Sequence, residues 1–288
     1  DCWGGWGGPS LDLIEAFGVS PKDDPASRVD PDHRRKATIM MPGDVYSYFW
    51  RDHDLPASAQ KDGIKKGFSY LDFWYNKKYN AAATGQCQGP CGGNNVKHLY
   101  GDNFDHKAEL GITPVRTSNA LPTPLLRLSD IYLIYAEAQV LMGNPTDQLA
   151  LDCFNEVRGR AYEWQGFVRK TTLTFDDIWK ERRLEFAGEG DRWYDYVRRA
   201  YYDVDSCIKE LKAQHRNAMW NCDEVYKAYY NSGTWDSSKM QYDENTAAPN
   251  VTASSFTLPF PTEDVALNPN LGSTATPVHV DVRNTFSY

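Results

Sequence analysis

Two successive pairs of helical segments, at residues 125–161 and 174–199, constrain the fold of this chain more than any other feature. In the first segment, apolar side chains recur every three or four residues, the spacing that aligns them along one side of an α-helix. They are Leu128, Tyr132, Tyr135 and Ala136, with Ile131, Leu133 and Ile134 between them. Because apolar residues cover much of its circumference, we expect this helix to be buried, and Gly143 and Pro145 to end it.

Three further helices are predicted by the same reasoning. One apolar stripe in the second helix consists of Ala150, Cys153, Phe154, Val157 and Ala161. Thr174 and Asp177 have the spacing of a capping box, which predicts the start of a third helix. Gly188 and Gly190 interrupt that helix, and Asp191 is expected to cap a fourth. Successive helical hairpins that bury their apolar sides on each other predict a mainly α fold.

The rest of the chain is less regular. Residues 37–116 are rich in glycine, asparagine, lysine and aromatic residues, and short alternating pieces such as 68–71 predict strands. Helical patterning returns at 204–230, before a polar linker at 231–255, and Pro259 and Pro261 predict an extended backbone at 258–261. We therefore divide the chain into a loop-rich aromatic segment (1–116), helical hairpins (117–200), a helical insertion (201–255) and an extended proline-rich segment (256–288).

Charge and hydropathy exclude several classes of function. The chain has 31 Lys and Arg residues against 39 Asp and Glu, a formal net charge of −8. Such an acidic chain does not suit non-specific nucleic-acid binding, which requires cations that displace counterions from phosphates. It contains no run of about 18 apolar residues, so no transmembrane helix is predicted. It opens without a basic and apolar leader, so we expect no signal peptide.

Six cysteines allow several interpretations. Cys87 and Cys91 lie in a loop, where a small disulfide or two free thiols are favoured over zinc because no second close pair of ligands follows. Cys153 falls on the apolar side of a helix and is expected in the core. Cys207 and Cys222 could pair across a helical turn, a question that sequence leaves open.

Four stretches of sequence, taken in order, carry a family resemblance. They are LRLSDIYLIYAEA at 126–138, NEVRGRA at 155–161, IWKERRLEF at 178–186 followed by EGDRWYD at 189–195, and LPFP at 258–261 followed by NPNL at 268–271. Together they resemble the C-terminal half of the SusD/RagB family, the surface nutrient-binding lipoproteins of the Bacteroidetes outer membrane. The resemblance extends over roughly residues 10–272, about half of a typical family member.

The resemblance implies a fold and a function. The fold would be mainly α, with TPR-like helical-hairpin repeats, long loops and an extended C-terminal segment. The protein would capture glycans at the cell surface, without catalysis, and deliver them to a SusC-like TonB-dependent outer-membrane transporter. A lipid anchor would lie in an N-terminal part that is absent here. No cofactor is implied, and although Asp-rich loops would admit calcium, no ligand pattern supports it.

Candidate ligand-binding residues lie in the loop-rich segment. Aromatic planes stack on the apolar faces of sugar rings, while arginine and asparagine side chains bond to the hydroxyl groups. The candidates are Tyr46, Tyr48, Trp50, Arg51, Trp74 and Asn76. If residues 46–50 are extended, the alternation of side chains places Tyr46, Tyr48 and Trp50 on one side.

A second group of residues, mostly in the family stretches, is charged. It comprises Glu137, Arg158, Glu181, Arg182, Glu185, Glu189 and Arg192. Because acids and arginines alternate at helical spacing, we expect ion pairs that fix one helix against the next. A glycosidase would instead need two carboxyl groups beside an open cleft, whereas each acid between 181 and 192 has an arginine within a helical turn that would keep it ionised. A peptide-binding or protein-interaction scaffold of helical repeats remains the main alternative to glycan capture.

Overall fold

The computed structural model describes residues 8–61, 63–89, 92–99, 101, 103–113, 122, 124–245 and 247–272. The helices among them are α1 (Leu11–Ala16), α2 (Arg34–Thr38), α3 (Tyr70–Tyr75), α4 (Asn103–Leu110), α5 (Leu128–Leu141), α6 (Gln148–Ala161), α7 (Phe175–Glu185), α8 (Asp191–Lys212), α9 (Cys222–Ser232) and α10 (Thr262–Leu267). The strands are β1 (Ile39–Met40), β2 (Val45–Tyr46), β3 (Phe68–Ser69), β4 (Asn94–Asn95), β5 (Met219–Trp220) and β6 (Gln241–Tyr242). Among these described strands, three antiparallel pairs form, namely β1–β4, β2–β3 and β5–β6.

The described residues fall into two compact units. The larger lies within Asp1–Asp195 and Ala213–Ala248, and the smaller within Tyr196–Lys212 and Pro249–Tyr288. In the smaller unit, Asp203 interrupts α8 with a φ of −148° and a ψ of 61°. Arg199 and Glu210 on either side of that interruption form an ion pair at 3.2 Å.

The helical hairpins predicted from sequence are confirmed. Gly143 adopts a φ of 83° after α5, and the Asp147 side chain accepts a hydrogen bond from the Ala150 amide at 2.8 Å to start α6. The capping box of Thr174 and Asp177 opens α7. One core joins the three helices, with the buried side chains Leu133, Ala136, Ala150, Phe154, Val157 and Ile178. The fold is therefore mainly α and contains TPR-like helix pairs.

The prediction that α5 is buried is correct for only one of its sides. Leu133 and Ala136 are fully buried against α6 and α7. Leu128, Ile131 and Ile134, which the sequence pattern placed in the same interior, are exposed. The reason is geometric, because α6 and α7 cover one side of α5 and no other described residue buries the opposite side.

Three other sequence-based assignments need correction. The segment 256–288, expected to be extended, contains the short helix α10, which begins directly after Pro261 because a proline before the first helical residue removes no hydrogen bond of the helix. Only Phe68 and Ser69 of the strand predicted at 68–71 are extended, because the Ser69 side chain accepts from the Asp72 amide and starts α3. The helix predicted at 204–230 is divided, since α8 ends at Lys212 and α9 begins at Cys222 after the short strand β5. Asn221, at a φ of 64°, makes the turn into α9.

The described cysteines carry thiols. Cys87 is buried and free, so the loop disulfide is not formed, while Cys91 lies outside the described residues. Cys153 is buried, as the apolar stripe of α6 predicted. The Sγ of Cys207 donates to the Tyr196 carbonyl at 3.8 Å, and that of Cys222 to the Met219 carbonyl at 3.9 Å. The pairing of these two cysteines that sequence left open is therefore absent.

The Cys87 thiol is expected to resist alkylation in the folded protein. Burial raises the pKa of Cys87 to about 12. At pH 8 only about one molecule in ten thousand would then carry the reactive thiolate. Peptide mapping after iodoacetamide treatment should find Cys87 unmodified in buffer and modified in urea. Rapid labelling in buffer would contradict the buried position.

Candidate functional site

Four of the six predicted ligand-binding residues lie in one aromatic cluster. We define the aromatic cluster as Tyr46, Tyr48, Phe49, Trp50, Phe68, Phe73 and Trp74. Neighbouring rings in this series have centroids 4.9–5.5 Å apart. Most pairs are tilted or perpendicular, the arrangements that the ring quadrupoles favour. The structure thus brings together aromatic residues from two segments, 46–50 and 68–74, that residues 51–67 separate in sequence.

Tyr46 and Tyr48 occupy different environments within the cluster. Tyr46 is 2% exposed, and its hydroxyl donates to the Lys36 carbonyl at 3.0 Å. Tyr48 is 51% exposed and stands perpendicular to the Tyr46 ring. The expectation that Tyr46, Tyr48 and Trp50 share one side is wrong, because β2 ends at Tyr46 and Trp50 adopts a φ of 58°. Tyr48 is the member of the aromatic cluster with an open surface.

Trp50 and Arg51 are held by a single carboxylate on α4. The backbone amides of both residues donate to Asp105, and the Arg51 Nε does so at 3.3 Å. The Arg51 guanidinium also pairs with Glu109 at 3.2 Å and remains one-third exposed. The Trp50 ring stacks on His53 with centroids 4.3 Å apart. Asp105 therefore fixes the turn that presents the Trp50 ring and the Arg51 guanidinium.

Trp74 and Asn76 lie at the end of α3. The Trp74 ring is perpendicular to Phe73 at 5.0 Å, and its buried Nε1 has no hydrogen-bond partner among the described residues. The Asn76 side chain donates to Asp72 at 2.9 Å and accepts from the amides of Lys78 and Tyr79. The Trp74 indole N–H thus lies buried without a hydrogen-bond partner among the described residues, whereas the Asn76 amide already closes the turn after α3.

A buried carboxylate supports β2 from beneath. Asp44 is 5% exposed, accepts from the Met41 amide at 2.7 Å and lies 2.5 Å from the Arg35 guanidinium. Arg28 donates to the same carboxylate at 2.8 Å, and Arg35 also pairs with Asp30. These ion pairs anchor the residues that lead into Tyr46 and Tyr48.

Sequence reasoning missed several residues of this site. Asp105 and His53 orient Trp50, and Asp44 orients β2, yet none was a candidate. Asp105 lies 55 residues from Trp50 along the chain, so no local spacing connects them. The only local signal was His53, three residues after Trp50 in an aromatic segment.

The charged residues of the family stretches form a separate, buried network. Glu185 is 2% exposed and pairs with Arg34 of α2 at 2.8 Å and Arg127 at 2.5 Å. Arg160 of α6 donates to the same carboxylate. Glu181 pairs with Arg34 at 2.8 Å and with Arg158 at 3.0 Å. The two acids of α7 thus connect α2, the start of α5 and α6.

The remaining charged residues extend this network. Glu189 pairs with Arg127 at 2.8 Å and Lys97 at 2.6 Å. Arg182 joins α7 to Asp130 of α5 at 2.6 Å and to Asp195 at 2.9 Å. The Arg192 guanidinium lies 3.7 Å from the centre of the Trp179 ring, and Glu137 is buried on α5.

The ionisation of Glu185 follows from these contacts. Burial by itself would raise the pKa of this carboxyl, but hydrogen bonds from Arg127 and Arg34 overcome that effect and lower the pKa to about 2. For Glu189, burial again acts to raise the pKa, but hydrogen bonds from Arg127 and Lys97 outweigh it and lower the pKa. Both groups are therefore ionised at neutral pH, which is the opposite of what a general acid requires.

A model of the SusD family matches residues 2–276. This chain belongs to the SusD family. A SusD-like protein from Bacteroides ovatus is 30% identical over 287 residues, which cover 96% of this chain and 44% of that protein. A crystal structure with xylogluco-oligosaccharide is 26% identical, with a TM-score of 0.60, and covers 95% of this chain and 47% of that one. A second crystal structure, also 26% identical, superposes with a TM-score of 0.58 over 95% of this chain and 47% of its own.

These matches confirm the family resemblance that the sequence stretches indicated. The chain nevertheless spans less than half the length of the relatives it matches. Within the described part of the chain, no helix is both long and apolar enough to cross a bilayer. The same residues contain no group of three or more His, Cys, Asp or Glu side chains arranged to hold a metal ion.

Proposed function

We propose that this chain is part of a non-catalytic protein that captures glycans at the cell surface and delivers them to a SusC-like TonB-dependent transporter. One observation carries the glycan part of this proposal. The chain is similar, at a TM-score of 0.60 and 26% identity, to a structure that holds a xylogluco-oligosaccharide. Delivery to the transporter rests on the family resemblance.

The aromatic cluster supplies the groups that such a ligand needs. A pyranose ring combines apolar C–H faces with a rim of hydroxyl groups, so it suits a side chain with an aromatic plane and a polar edge. Tyr48 offers an exposed ring and hydroxyl, and the Arg51 guanidinium offers donors held in position by Asp105.

The charged network supports a binding role without catalysis. A glycosidase needs two carboxyl groups beside a cleft, one of them protonated until it acts. Glu181 and Glu185 are buried, and each is paired with at least two arginines. Under this proposal the protein needs no cofactor and works at the outer face of the outer membrane. Its lipid anchor would belong to an N-terminal part of the longer protein.

Replacing Tyr48 with alanine is expected to weaken glycan binding at least about fivefold, since an anchor at the centre of an interface contributes more than about 1 kcal/mol. Calorimetric titration with xylogluco-oligosaccharide measures the affinity. Tyr194→Ala is the matched control, because Tyr194 is also an exposed tyrosine but lies at the start of α8. We expect that variant to bind within about twofold of the parent chain.

Three results would count against the proposal. If Tyr48→Ala and Tyr194→Ala bound the oligosaccharide with equal affinity, Tyr48 and the aromatic cluster around it would not form the binding site. Saturable binding of a peptide, with no binding of the oligosaccharide, would favour the peptide-binding alternative. Release of shorter sugars, abolished by Glu185→Gln, would favour a glycosidase.

A further inference from the structure

Helix α9, which lies within the helical insertion (201–255), is joined to α3 by a reciprocal pair of hydrogen bonds. The Tyr230 hydroxyl of α9 donates to Asp72 of α3 at 3.0 Å. The Tyr75 hydroxyl of α3 donates to Asp223 of α9 at 2.8 Å. The two tyrosine rings lie against each other with centroids 5.4 Å apart. Each helix therefore supplies a tyrosine to the carboxylate of the other, and we call these four residues the α3–α9 clamp.

The carboxylate of Asp72 depends on hydrogen-bond donors because it is only 2% exposed. One of its oxygens accepts from the Ser69 hydroxyl at 2.6 Å. The other accepts from the Asn76 side chain at 2.9 Å and from Tyr230. Burial and the neighbouring Asp72 carboxylate raise the pKa of Tyr230 to about 12, so its hydroxyl keeps the proton that it donates. Tyr230 is therefore one of three side-chain donors to this buried acid.

Asp72 connects the clamp to the corner between β3 and α3. Ser69 is the last residue of β3 and the N-cap of α3, and its hydroxyl bonds to Asp72 across that corner. Phe68 lies just before the corner and Phe73 just after it, with ring centroids 5.2 Å apart. Both rings contact Trp50, at 5.3 Å and 5.5 Å between centroids. The angle at this corner therefore sets how the rings of the aromatic cluster lie relative to each other.

The other bond of the clamp holds the opposite end of α3. Tyr75 is the last residue of this helix, and its partner Asp223 also accepts from the Cys87 amide at 2.6 Å. Helix α3 has only six residues, too few for its own hydrogen bonds to keep it formed without packing. Its orientation thus depends on the contacts that α9 makes at both of its ends.

We propose that the α3–α9 clamp positions the aromatic cluster for its glycan, with Tyr230 and Tyr75 as positioning residues that hold α3 and do not touch the ligand. This inference rests on the proposed function of the aromatic cluster. A short helix released at one bond samples further orientations, so fewer molecules hold the rings in the binding arrangement. The measured affinity falls by that same fraction. The helical insertion thereby contributes to binding without supplying a contact to the glycan.

The variant Tyr230→Phe tests the proposal, because it removes one hydroxyl and keeps the ring against Tyr75. Calorimetric titration with xylogluco-oligosaccharide should show binding at least about threefold weaker than that of the parent chain. Tyr135→Phe is the matched control. The Tyr135 hydroxyl also donates to a carboxylate, that of Asp147 at 3.3 Å, but this bond joins α5 to the start of α6. We expect the control to bind the oligosaccharide as the parent chain does.

Fluorine NMR of protein labelled with 5-fluorotryptophan is a second readout and needs no ligand. The Trp50 signal, assigned with Trp50→Phe, reports on α3 because the Trp50 ring contacts Phe73. It should shift in Tyr230→Phe and stay in place in Tyr135→Phe. Combining Tyr230→Phe with Asp72→Asn should add no further loss of affinity, since both substitutions remove the same hydrogen bond. If the combined variant does not fold, the single variants and the Trp50 signal still decide the question.

Weaker binding and a shifted Trp50 signal in Tyr230→Phe alone support the positioning role. Unchanged affinity in that variant, with or without a shifted signal, overturns this role and leaves the proposed function intact. Additive losses in the combined variant would mean that the Tyr230 hydroxyl binds the glycan itself, and equal losses in Tyr135→Phe would trace the effect to stability, so either result also overturns it. Absence of oligosaccharide binding by the parent chain overturns the proposed function and this inference with it.

Discussion

Replacing Glu185 with glutamine is expected to lower the free energy of unfolding by about 3 kcal/mol. The substitution preserves shape and removes one charge. Arg34 and Arg127 then lose a buried carboxylate that accepts from both of them. The cost arises because the guanidinium groups keep their desolvation penalty after their partner has become neutral. Urea denaturation of the parent chain and the variant measures the difference.

Glu156→Gln is the control for this substitution. Glu156 lies on the exposed side of α6, and its replacement should change stability by no more than about 0.5 kcal/mol. If Glu185→Gln and Glu156→Gln had the same free energy of unfolding, the buried ion pairs of Glu185 would not stabilise the fold.

The same comparison predicts a dependence on pH. Because the folded-state pKa of Glu185 is lowered from its ordinary 4.5 to about 2, its contribution is complete above about pH 4.5. That contribution is lost as the pH falls from about 4.5 towards 2, where the folded carboxyl also takes up a proton. The stability gap between the parent chain and Glu185→Gln should therefore narrow over this interval. A gap that stays constant down to pH 2 would contradict the assigned ionisation.

Replacing Gly67 with alanine is expected to cost about 3 kcal/mol or more. Gly67 has a φ of +139°, and a Cβ there would lie 2.0 Å from the carbonyl oxygen of Tyr46. That oxygen belongs to the backbone of β2, so a side-chain rotation cannot relieve the overlap. β2 and β3 would have to separate at the pair of Tyr46 with Phe68. Thermal unfolding should show a correspondingly lower midpoint.

Gly63→Ala is the control, because it introduces the strain of a positive φ without the steric overlap that Gly67→Ala introduces. Gly63 has a φ of +77°, and a Cβ there would meet no described atom within 4 Å. Its replacement should cost only about 1–2 kcal/mol, the penalty of the left-handed conformation. Gly67→Ala should also weaken oligosaccharide binding by the folded protein, because the segment after β2 carries Tyr48. A Gly67→Ala protein as stable as Gly63→Ala would contradict the close approach of β2 and β3.

The sequence predicted the elements whose causes are local. Apolar spacing of three and four residues placed α5 and α6, and the Thr174–Asp177 capping box placed the start of α7. Both signals act within a few residues, so they can be read without knowledge of the rest of the chain. The family stretches in the same helices were recognisable for the same reason.

Contacts between distant segments could not be predicted in this way. Arg34 and Glu185 are 151 residues apart, and the pairing is chosen by how α2 and α7 pack. Sequence spacing suggested that Tyr46, Tyr48 and Trp50 share one side, but the left-handed turn at Trp50, held by Asp105, gives each ring its own orientation.

Sequence alone thus determined that this chain makes paired helices and where several of them begin, because periodicity and capping are properties of neighbouring residues. It also indicated the family, because the four characteristic stretches are each local in sequence. Only the tertiary structure decided which acid faces which arginine, which of the aromatic rings is open, and which side of α5 is covered. Those outcomes depend on the packing of segments far apart in sequence, and the spacing of residues within a few positions of each other does not determine the free energy of that packing.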